Sequence, residues 1–279
     1  MPLLSYEHDG RVRLGVVEGD RVRAFANIDR LGPAAEGILD GAPHMEDSTV
    51  TVDAVRLLPC SPTPRKILCV GLNYAEHIEE TGRERPEYPV LFPKYASNLV
   101  GPMSPIELPP ESGQVDYEGE LAVVIGRGGR RIDEADAQSH VLGYAVANDV
   151  TMRDFQYKTH QWMQGKAWDR STPLDASLTL ASEVDLSRAG IRTTFNGEVV
   201  QESTLEHLIF SIPSLIAVIS TFTELSCGDV ILTGTPGGVG FRRDPQLFIR
   251  PDDVITVEVD GVGRIENRAR RESTRVLTH

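Results

Sequence analysis

Two carboxylates stand at the head of a strongly β-forming run of this sequence. Glu118 and Glu120 are separated by one glycine, and the apolar residues 121–125 follow directly. Alternate side chains of a β-strand lie on the same face, so both carboxylates are predicted to point the same way at the edge of a buried sheet. Two like charges there are costly unless a cation stabilises them. The pattern predicts either a divalent metal site or an exposed edge strand.

A third carboxylate, Asp149, ends another strand-like run, residues 143–148. Together with Glu118 and Glu120 it would provide three oxygen ligands and no nitrogen or sulfur ligand. Such a set suits Mg²⁺ or Mn²⁺, with Ca²⁺ as a possible substitute, better than zinc. On these residues alone, surface carboxylates without a metal ion remain the ordinary alternative.

A short helix is predicted over residues 74–80, and it carries a histidine and a glutamate three positions apart. His77 and Glu80 are therefore neighbours on one helical face. A carboxylate beside an imidazole fixes the tautomer and raises the basicity, which suits a general base acting on water. An exposed helix end with a solvated pair is the alternative.

The segment from residue 153 to residue 166 contains three further candidate site residues. Lys166 follows Gly165 and lies two positions before Trp168, and we expect it either in a pocket, binding a carboxylate or an enolate oxygen, or in an exposed loop. Arg153 is expected to pair with its neighbour Asp154, and Gln156 offers a neutral hydrogen-bonding group nearby.

A glycine-rich segment, residues 233–240, follows a predicted strand at 229–233. Its backbone N–H groups, including that of Gly234, could bind an anion. The segment lacks the Gly-Lys-Ser/Thr ending of a P-loop and the dinucleotide fingerprint. A purely structural turn is equally compatible with the sequence.

Composition and patterning predict an α+β protein that is predominantly mixed β. Residues 1–60 form a small β-rich domain in this interpretation, and prolines at 59, 62 and 64 separate it from a larger domain, 65–279. A strand is expected over residues 50–58 and a helix, interrupted at Pro213, over residues 204–225. Asn196 and Gly197 predict a hairpin turn.

The net charge and the cysteine usage limit the binding partners and the cellular compartment that are expected for this protein. The net charge of −13 argues against nucleic acid and anionic membranes as partners. No signal peptide or membrane-spanning run is recognisable, so a cytoplasmic location is expected. The three cysteines are far apart in the sequence, and no disulfide is predicted.

Taken together, these segments resemble the fumarylacetoacetate hydrolase family over about residues 65–270. The matching segments are VGLNYAEH (70–77), DYEGEL (116–121), GY (143–144), NDVT (148–151), RD (153–154), GK (165–166), NGE (196–198) and GDVILTGTPGGVG (228–240). Their order makes the resemblance specific. The chain departs from some relatives at Leu72, where they carry arginine.

The resemblance implies the family's β-roll or sandwich catalytic domain, a homodimer and a divalent metal ion, usually Mg²⁺ or Mn²⁺. It places the metal on Glu118, Glu120 and Asp149. Further roles follow from it: Lys166 contacts the substrate, and the helix with His77 and Glu80 lies on a lid over the site. The predicted substrate-binding residues are Gln156, Thr235, Arg153 and Gly234.

The implied substrate is a small anionic 2-oxo acid that chelates the metal ion. Breaking the C–C bond beside its keto group leaves an enolate, which the metal and Lys166 stabilise. The leading expectation is hydrolysis of acylpyruvate-type 1,3-diketo acids, such as fumarylpyruvate or acetylpyruvate from aromatic catabolism, with water activated by His77 and Glu80. The alternatives are a decarboxylase of oxaloacetate-type acids, an isomerase of hydroxymuconate-type dienoates, and a ligand-binding protein without catalysis.

Overall fold

The computed structural model describes residues 1–41, 43–82 and 84–273, without the side chains of His77, Glu79 and Thr81. Its strands are β1 (Leu3–His8), β2 (Arg11–Glu18), β3 (Arg21–Phe25), β4 (Met45–Thr51), β5 (Arg56–Leu57), β6 (Ile67–Gly71), β7 (Val90–Lys94), β8 (Leu99–Val100), β9 (Ile106–Leu108), β10 (Val115–Asp116), β11 (Gly119–Ile125), β12 (Val141–Asn148), β13 (Thr151–Met152), β14 (Thr172–Pro173), β15 (Ser177–Leu180), β16 (Gly190–Phe195), β17 (Glu198–Thr204), β18 (Val230–Leu232), β19 (Val254–Val259) and β20 (Gly263–Arg271). The α-helices are α1 (Ala75–Thr81), α2 (Arg153–Gln156), α3 (Met163–Lys166) and α4 (Ile212–Phe222).

One large sheet runs through the molecule in the order β4-β3-β2-β1-β15-β12-β11-β18-β6-β7, with β5 paired to β1. Every residue of its central strands β11 and β12 is buried. In β11, Leu121 and Val123 belong to one apolar cluster, whereas Ala122 and Val124 belong to another. The alternation of strand side chains thus fills a core on each face of the sheet, which explains the continuous apolar run in the sequence.

A second sheet, in the order β17-β16-β19-β20-β9, packs on one of these cores. Asn196 and Gly197 both have positive φ, 50° and 87°, and join β16 to β17 as the sequence predicts. The approach between the sheets is close at Gly119, where a Cβ atom would collide with the Thr193 hydroxyl. The predicted predominantly mixed-β fold is confirmed.

Two element predictions are wrong in part. The predicted helix over 204–225 begins only at Ile212, because β17 continues to Thr204 and a 3₁₀ turn, Leu205–His207, follows it. The predicted strand over 50–58 is divided by a 3₁₀ turn, Val52–Ala54. Sheet pairing overrides local propensity in the first case.

The N-terminal strands β1 to β4 continue the large sheet through pairing of β1 with β15. The division into domains at residues 60–65, the homodimer and the cytoplasmic location stay predictions. Cys60, Cys69 and Cys227 are buried free thiols. Within the described part of the chain, no helix has the length and apolar character needed to cross a membrane.

Asp175, between β14 and β15, is expected to make stability pH-dependent. Burial raises its pKa to about 7, although the N–H groups of Ser177 and Ala176 favour the charged form. The folded protein then holds this proton more tightly than the unfolded chain, so the contribution of Asp175 to the free energy of unfolding falls as pH rises from about 4 to 7. The free energy of unfolding of Asp175→Asn, relative to that of wild type, should therefore rise by more than about 1 kcal/mol from pH 5 to pH 8. Urea unfolding at the two pH values measures this change. An equal difference at both pH values would contradict this.

Candidate active site

The strand pairing brings Glu118 and Asp149 side by side at one end of the large sheet. β11 and β12 are antiparallel, with Gly119 opposite Asn148, so the residue before β11 adjoins the residue after β12. The Asp149 N–H donates to the Glu118 carbonyl at 2.8 Å, and the Asn148 side chain accepts from the Glu118 N–H at 2.9 Å. Two distant parts of the sequence therefore present carboxylates to one point.

Glu118, Glu120 and Asp149 form a buried cluster, with one carboxylate oxygen of each within 4.8 Å of the others. Burial raises the pKa of Glu120 well above its ordinary value, and the Asp149 and Glu118 carboxylates raise it further. Asp149 Oδ1 is buried and accepts no hydrogen bond from the described residues, and it forms an ion pair with Lys94. Three crowded oxygen donors of this kind fit a hard divalent cation.

Two lysines lie against the cluster. Lys166 Nζ is 2.6 Å from Glu118 Oε2 and 2.9 Å from Asp149 Oδ2, and it is buried. Burial alone would lower the pKa of Lys166, but the Asp149 and Glu118 carboxylates outweigh it, and the net shift is upward. Lys94, the last residue of β7, forms an ion pair through Nζ with Asp149 Oδ1 at 2.8 Å. Both ammonium groups therefore lie in direct contact with the carboxylates of the cluster.

Arg153 connects the cluster to a fourth buried carboxylate. Its guanidinium contacts Asp116 Oδ2 at 2.8 Å, Glu118 Oε1 at 2.7 Å and Gln156 Oε1 at 3.0 Å. The predicted pairing with Asp154 is wrong, because that carboxylate accepts a hydrogen bond from the Ser112 hydroxyl instead. The predicted substrate contact of Arg153 stays a prediction, and its observed contacts orient Glu118.

Arg153→Met is expected to lower the free energy of unfolding by about 3–5 kcal/mol, because the buried Asp116 carboxylate loses its cationic partner. Urea unfolding in the presence of a chelator measures this loss. The double variant Arg153→Met with Asp116→Asn should lose less, since it leaves no unpaired charge at position 116. A single variant that loses under about 1 kcal/mol would contradict the assignment.

Close packing of two short helices delivers Lys166 to the cluster. A Cβ atom at Gly165 would lie 2.6 Å from the Gln156 backbone, so only glycine lets α3 approach α2 this closely. Gln156 is buried and lines the same pocket as Lys166. The structure thus brings together Gln156 and Lys166, two of the residues that the sequence analysis placed near the substrate.

The glycine-rich loop after β18 closes another side of the site. The Gly234 N–H donates to Glu120 Oε2 at 2.8 Å, and Gly234 has a φ of 102° that favours glycine. The Thr235 hydroxyl donates to the Gly119 carbonyl and accepts from Gln201 Nε2, at 2.9 and 2.8 Å. The loop therefore anchors the carboxylate cluster, and the predicted substrate contacts of Gly234 and Thr235 stay predictions.

Helix α1 lies against this loop. The Glu80 carboxylate accepts the Gly238 N–H, at 3.1 Å to each oxygen. The side chain of His77 lies outside the described residues, so the pairing of His77 with Glu80 stays a prediction.

The pocket over the cluster has an ionic inner end and a largely apolar outer wall. Its lining residues are Val70, Gly71, Leu72, Glu118, Glu120, Arg153, Gln156, Tyr157, Trp162, Lys166, Thr235, Val239, Phe241 and Arg242.

The family model described as “Fumarylacetoacetate (FAA) hydrolase C-terminal” matches residues 66–270. The chain belongs to the fumarylacetoacetate hydrolase family.

Relatives within this family carry names that specify a reaction. A relative from Xenopus laevis named “Oxaloacetate tautomerase fahd2, mitochondrial” is 42% identical over 251 residues, which are 88% of this chain and 77% of the relative. The human “Oxaloacetate tautomerase FAHD2A, mitochondrial” is 43% identical over 208 residues, which are 74% of this chain and 66% of that protein.

Solved structures of the family share the whole fold. A fumarylacetoacetate hydrolase from Exiguobacterium antarcticum is 34% identical, with a TM-score of 0.86 over 98% of this chain and 100% of that chain. A 5-carboxymethyl-2-hydroxymuconate delta-isomerase from Mycobacterium smegmatis is also 34% identical, with a TM-score of 0.84 and the same coverage. This family contains proteins named as hydrolases and others named as isomerases.

Two members of the site had no assigned role in the sequence analysis. Lys94 ends an apolar strand, and only the folded arrangement brings it to Asp149. Asp116 belongs to a family segment, but its contact with Arg153 spans 37 positions of the chain. A buried-strand pattern that ends in a charged residue is the one signal that could have drawn attention to either.

Proposed function

We propose that this protein is a divalent-metal-dependent isomerase of small 2-oxo acids, which interconverts the keto and enol forms of an acid such as oxaloacetate. The observation that carries the proposal is the buried cluster of three carboxylates with a charged lysine against it. Mg²⁺ or Mn²⁺ is the proposed ion. Such an ion would supply positive charge to the oxygens of the 2-oxo acid when bound.

The residues of the chain have distinct proposed tasks. Glu118, Glu120 and Asp149 hold the ion, and the Lys166 ammonium stabilises negative charge on the oxygen at C2 of the substrate. Burial makes this stabilisation stronger than it would be in water. His77 on α1 is proposed to move the proton at C3, with Glu80 fixing the position of the helix.

The names of the relatives favour isomerisation over the hydrolysis expected first from the sequence. Two relatives at 42 and 43% identity are named as oxaloacetate tautomerases, and a structural neighbour at 34% identity is named as an isomerase. Hydrolysis of acylpyruvates is the second candidate, because another neighbour at 34% identity is named a fumarylacetoacetate hydrolase.

A substrate panel separates the candidates. Purified protein with Mg²⁺ is assayed for decay of enol-oxaloacetate absorbance, for pyruvate release from oxaloacetate, and for loss of the diketone absorbance of acetylpyruvate and fumarylpyruvate. We expect faster decay of the enol than in buffer, without equivalent release of pyruvate. Cleavage of an acylpyruvate as the fastest reaction would replace the proposal by the second candidate, and no turnover at all would favour a ligand-binding protein.

A further inference from the structure

Lys94 is a buried cation at the three-carboxylate cluster, and the proposed function gives it no task. Its Nζ lies 2.8 Å from Asp149 Oδ1, and both side chains are fully buried. Two hydrogen bonds hold the ammonium in place: it donates to the Val150 carbonyl at 3.2 Å and to the Thr172 hydroxyl at 2.7 Å. Because neither acceptor is a proposed metal ligand, the fold itself fixes the position of this charge beside Asp149.

The two lysines contact different oxygens of Asp149. Lys166 Nζ is 2.9 Å from Oδ2 and also 2.6 Å from Glu118 Oε2, so Oδ2 lies on the side of Asp149 that it shares with Glu118. Lys94 contacts Oδ1 from β7 instead. The two oxygens of Asp149 therefore have different surroundings, one within the cluster and one against a fixed cation behind it.

The other two carboxylates of the cluster are held in a similar way. Glu118 Oε1 pairs with the Arg153 guanidinium at 2.7 Å, and Glu120 Oε2 accepts the Gly234 N–H at 2.8 Å. One oxygen of each carboxylate is thus bound by a donor that the surrounding fold positions. An ion held through the second oxygen of each would receive one ligand atom from each carboxylate rather than two.

We infer that Lys94 is a positioning residue that restricts Asp149 to ligation through one oxygen and thereby favours Mg²⁺ over Ca²⁺. This inference rests on the proposed function in one respect, the placement of a divalent ion at the three carboxylates. Mg²⁺ requires a compact octahedron of oxygens and retains bound water, which single oxygens from the carboxylates permit. Ca²⁺ takes a larger and more variable set of oxygens and is readily bound by both oxygens of one carboxylate.

Equilibrium binding of each ion alone, without substrate, tests the inference. Calorimetry gives the dissociation constants of Mg²⁺ and Ca²⁺ for wild type and for Lys94→Met. Both ions carry two charges, so loss of the ammonium changes their electrostatic attraction equally, and the ratio of the two constants isolates the geometry of Asp149. We expect wild type to bind Mg²⁺ at least as tightly as Ca²⁺, and Lys94→Met to shift the ratio towards Ca²⁺ by about tenfold.

A second pair of variants decides the matter if Lys94→Met does not fold. Thr172→Val removes one acceptor that fixes Lys94 and leaves every charge in place, so it should shift the ratio in the same direction by a smaller amount. Thr172→Ser keeps the hydroxyl and should match wild type. The matched control is Lys66→Met, which removes a lysine paired at 3.3 Å with Asp229, directly before β18, and should leave the ratio unchanged.

The possible outcomes separate this inference from the proposed function. An unchanged ratio in folded Lys94→Met, or in Thr172→Val where Lys94→Met does not fold, would overturn the inference and leave the metal site intact. Tighter binding of Ca²⁺ than of Mg²⁺ by wild type would overturn it as well. Wild type that binds neither ion would refute the inference and the proposed metal site together. The expected ratios in a protein that isomerises no 2-oxo acid would refute the proposed function alone.

Discussion

Replacing Glu118 and Glu120 together by glutamine is expected to abolish stoichiometric binding of Mg²⁺ or Mn²⁺. The two substitutions leave Asp149 as the one carboxylate of the cluster, and a single carboxylate with neutral amides binds these ions weakly. The fold should persist, because Arg153 keeps its contact with Asp116 and Lys166 keeps its contact with Asp149. Metal content after dialysis and calorimetric titration measure the effect, with circular dichroism to verify folding.

The matched control is Glu198→Gln with Glu202→Gln, which removes two charges from exposed positions of β17. It should bind metal like wild type. If the double variant at 118 and 120 is unfolded, Glu120→Gln alone provides the test, because glutamine resembles the protonated carboxyl that burial favours at this position. Stoichiometric metal in a folded variant would refute the ligand assignment.

Replacing Lys166 by methionine is expected to lower kcat by about 10²–10³, because the donor that stabilises developing negative charge in the buried site is lost. Metal binding should persist, since all three carboxylates remain. Steady-state kinetics on the best substrate of the panel, together with metal content, measure both effects. Lys158→Met, which removes an exposed ammonium positioned over Phe155, is the control and should keep wild-type kinetics.

Loss of a buried cation also destabilises its partners, so folding needs a separate variant. Lys166→Arg keeps the positive charge beside Glu118 and Asp149 and should fold with near wild-type stability. It should still lower kcat, because the guanidinium has a different shape and donor geometry. Activity close to wild type in a folded Lys166→Met variant would refute the proposed role.

The parts of the site that follow from strand geometry were predictable from the sequence. Glu118 and Glu120 are two residues apart in a run that pairs as a strand, so their common direction follows from the period of the sheet. Asp149 could be added because it ends a second run of the same kind. Their meeting point depends on the antiparallel register of β11 and β12, which the sequence does not specify.

The cations of the site illustrate the limit of prediction from one sequence. Arg153 was expected to pair with the adjacent Asp154, but it reaches Asp116 and Glu118, which neighbouring strand ends place beside it. Lys94 lies 55 positions from Asp149, and no local pattern links the two. Such pairs are determined by long-range sheet contacts. The same contacts explain why residues 205–211 are not part of α4, which begins at Ile212.

Isomerisation of a 2-oxo acid by oxygen-ligated metal and Lys166 is tested most directly by one measurement. The decay of enol-oxaloacetate is followed with wild-type protein after treatment with a chelator, and again after Mg²⁺ or Mn²⁺ is restored. We expect the chelated protein to give the same rate as buffer without protein. The restored protein should exceed the rate of protein-free buffer with the same metal concentration by at least a hundredfold. An acceleration that survives removal of the metal, or none after its return, would contradict the account.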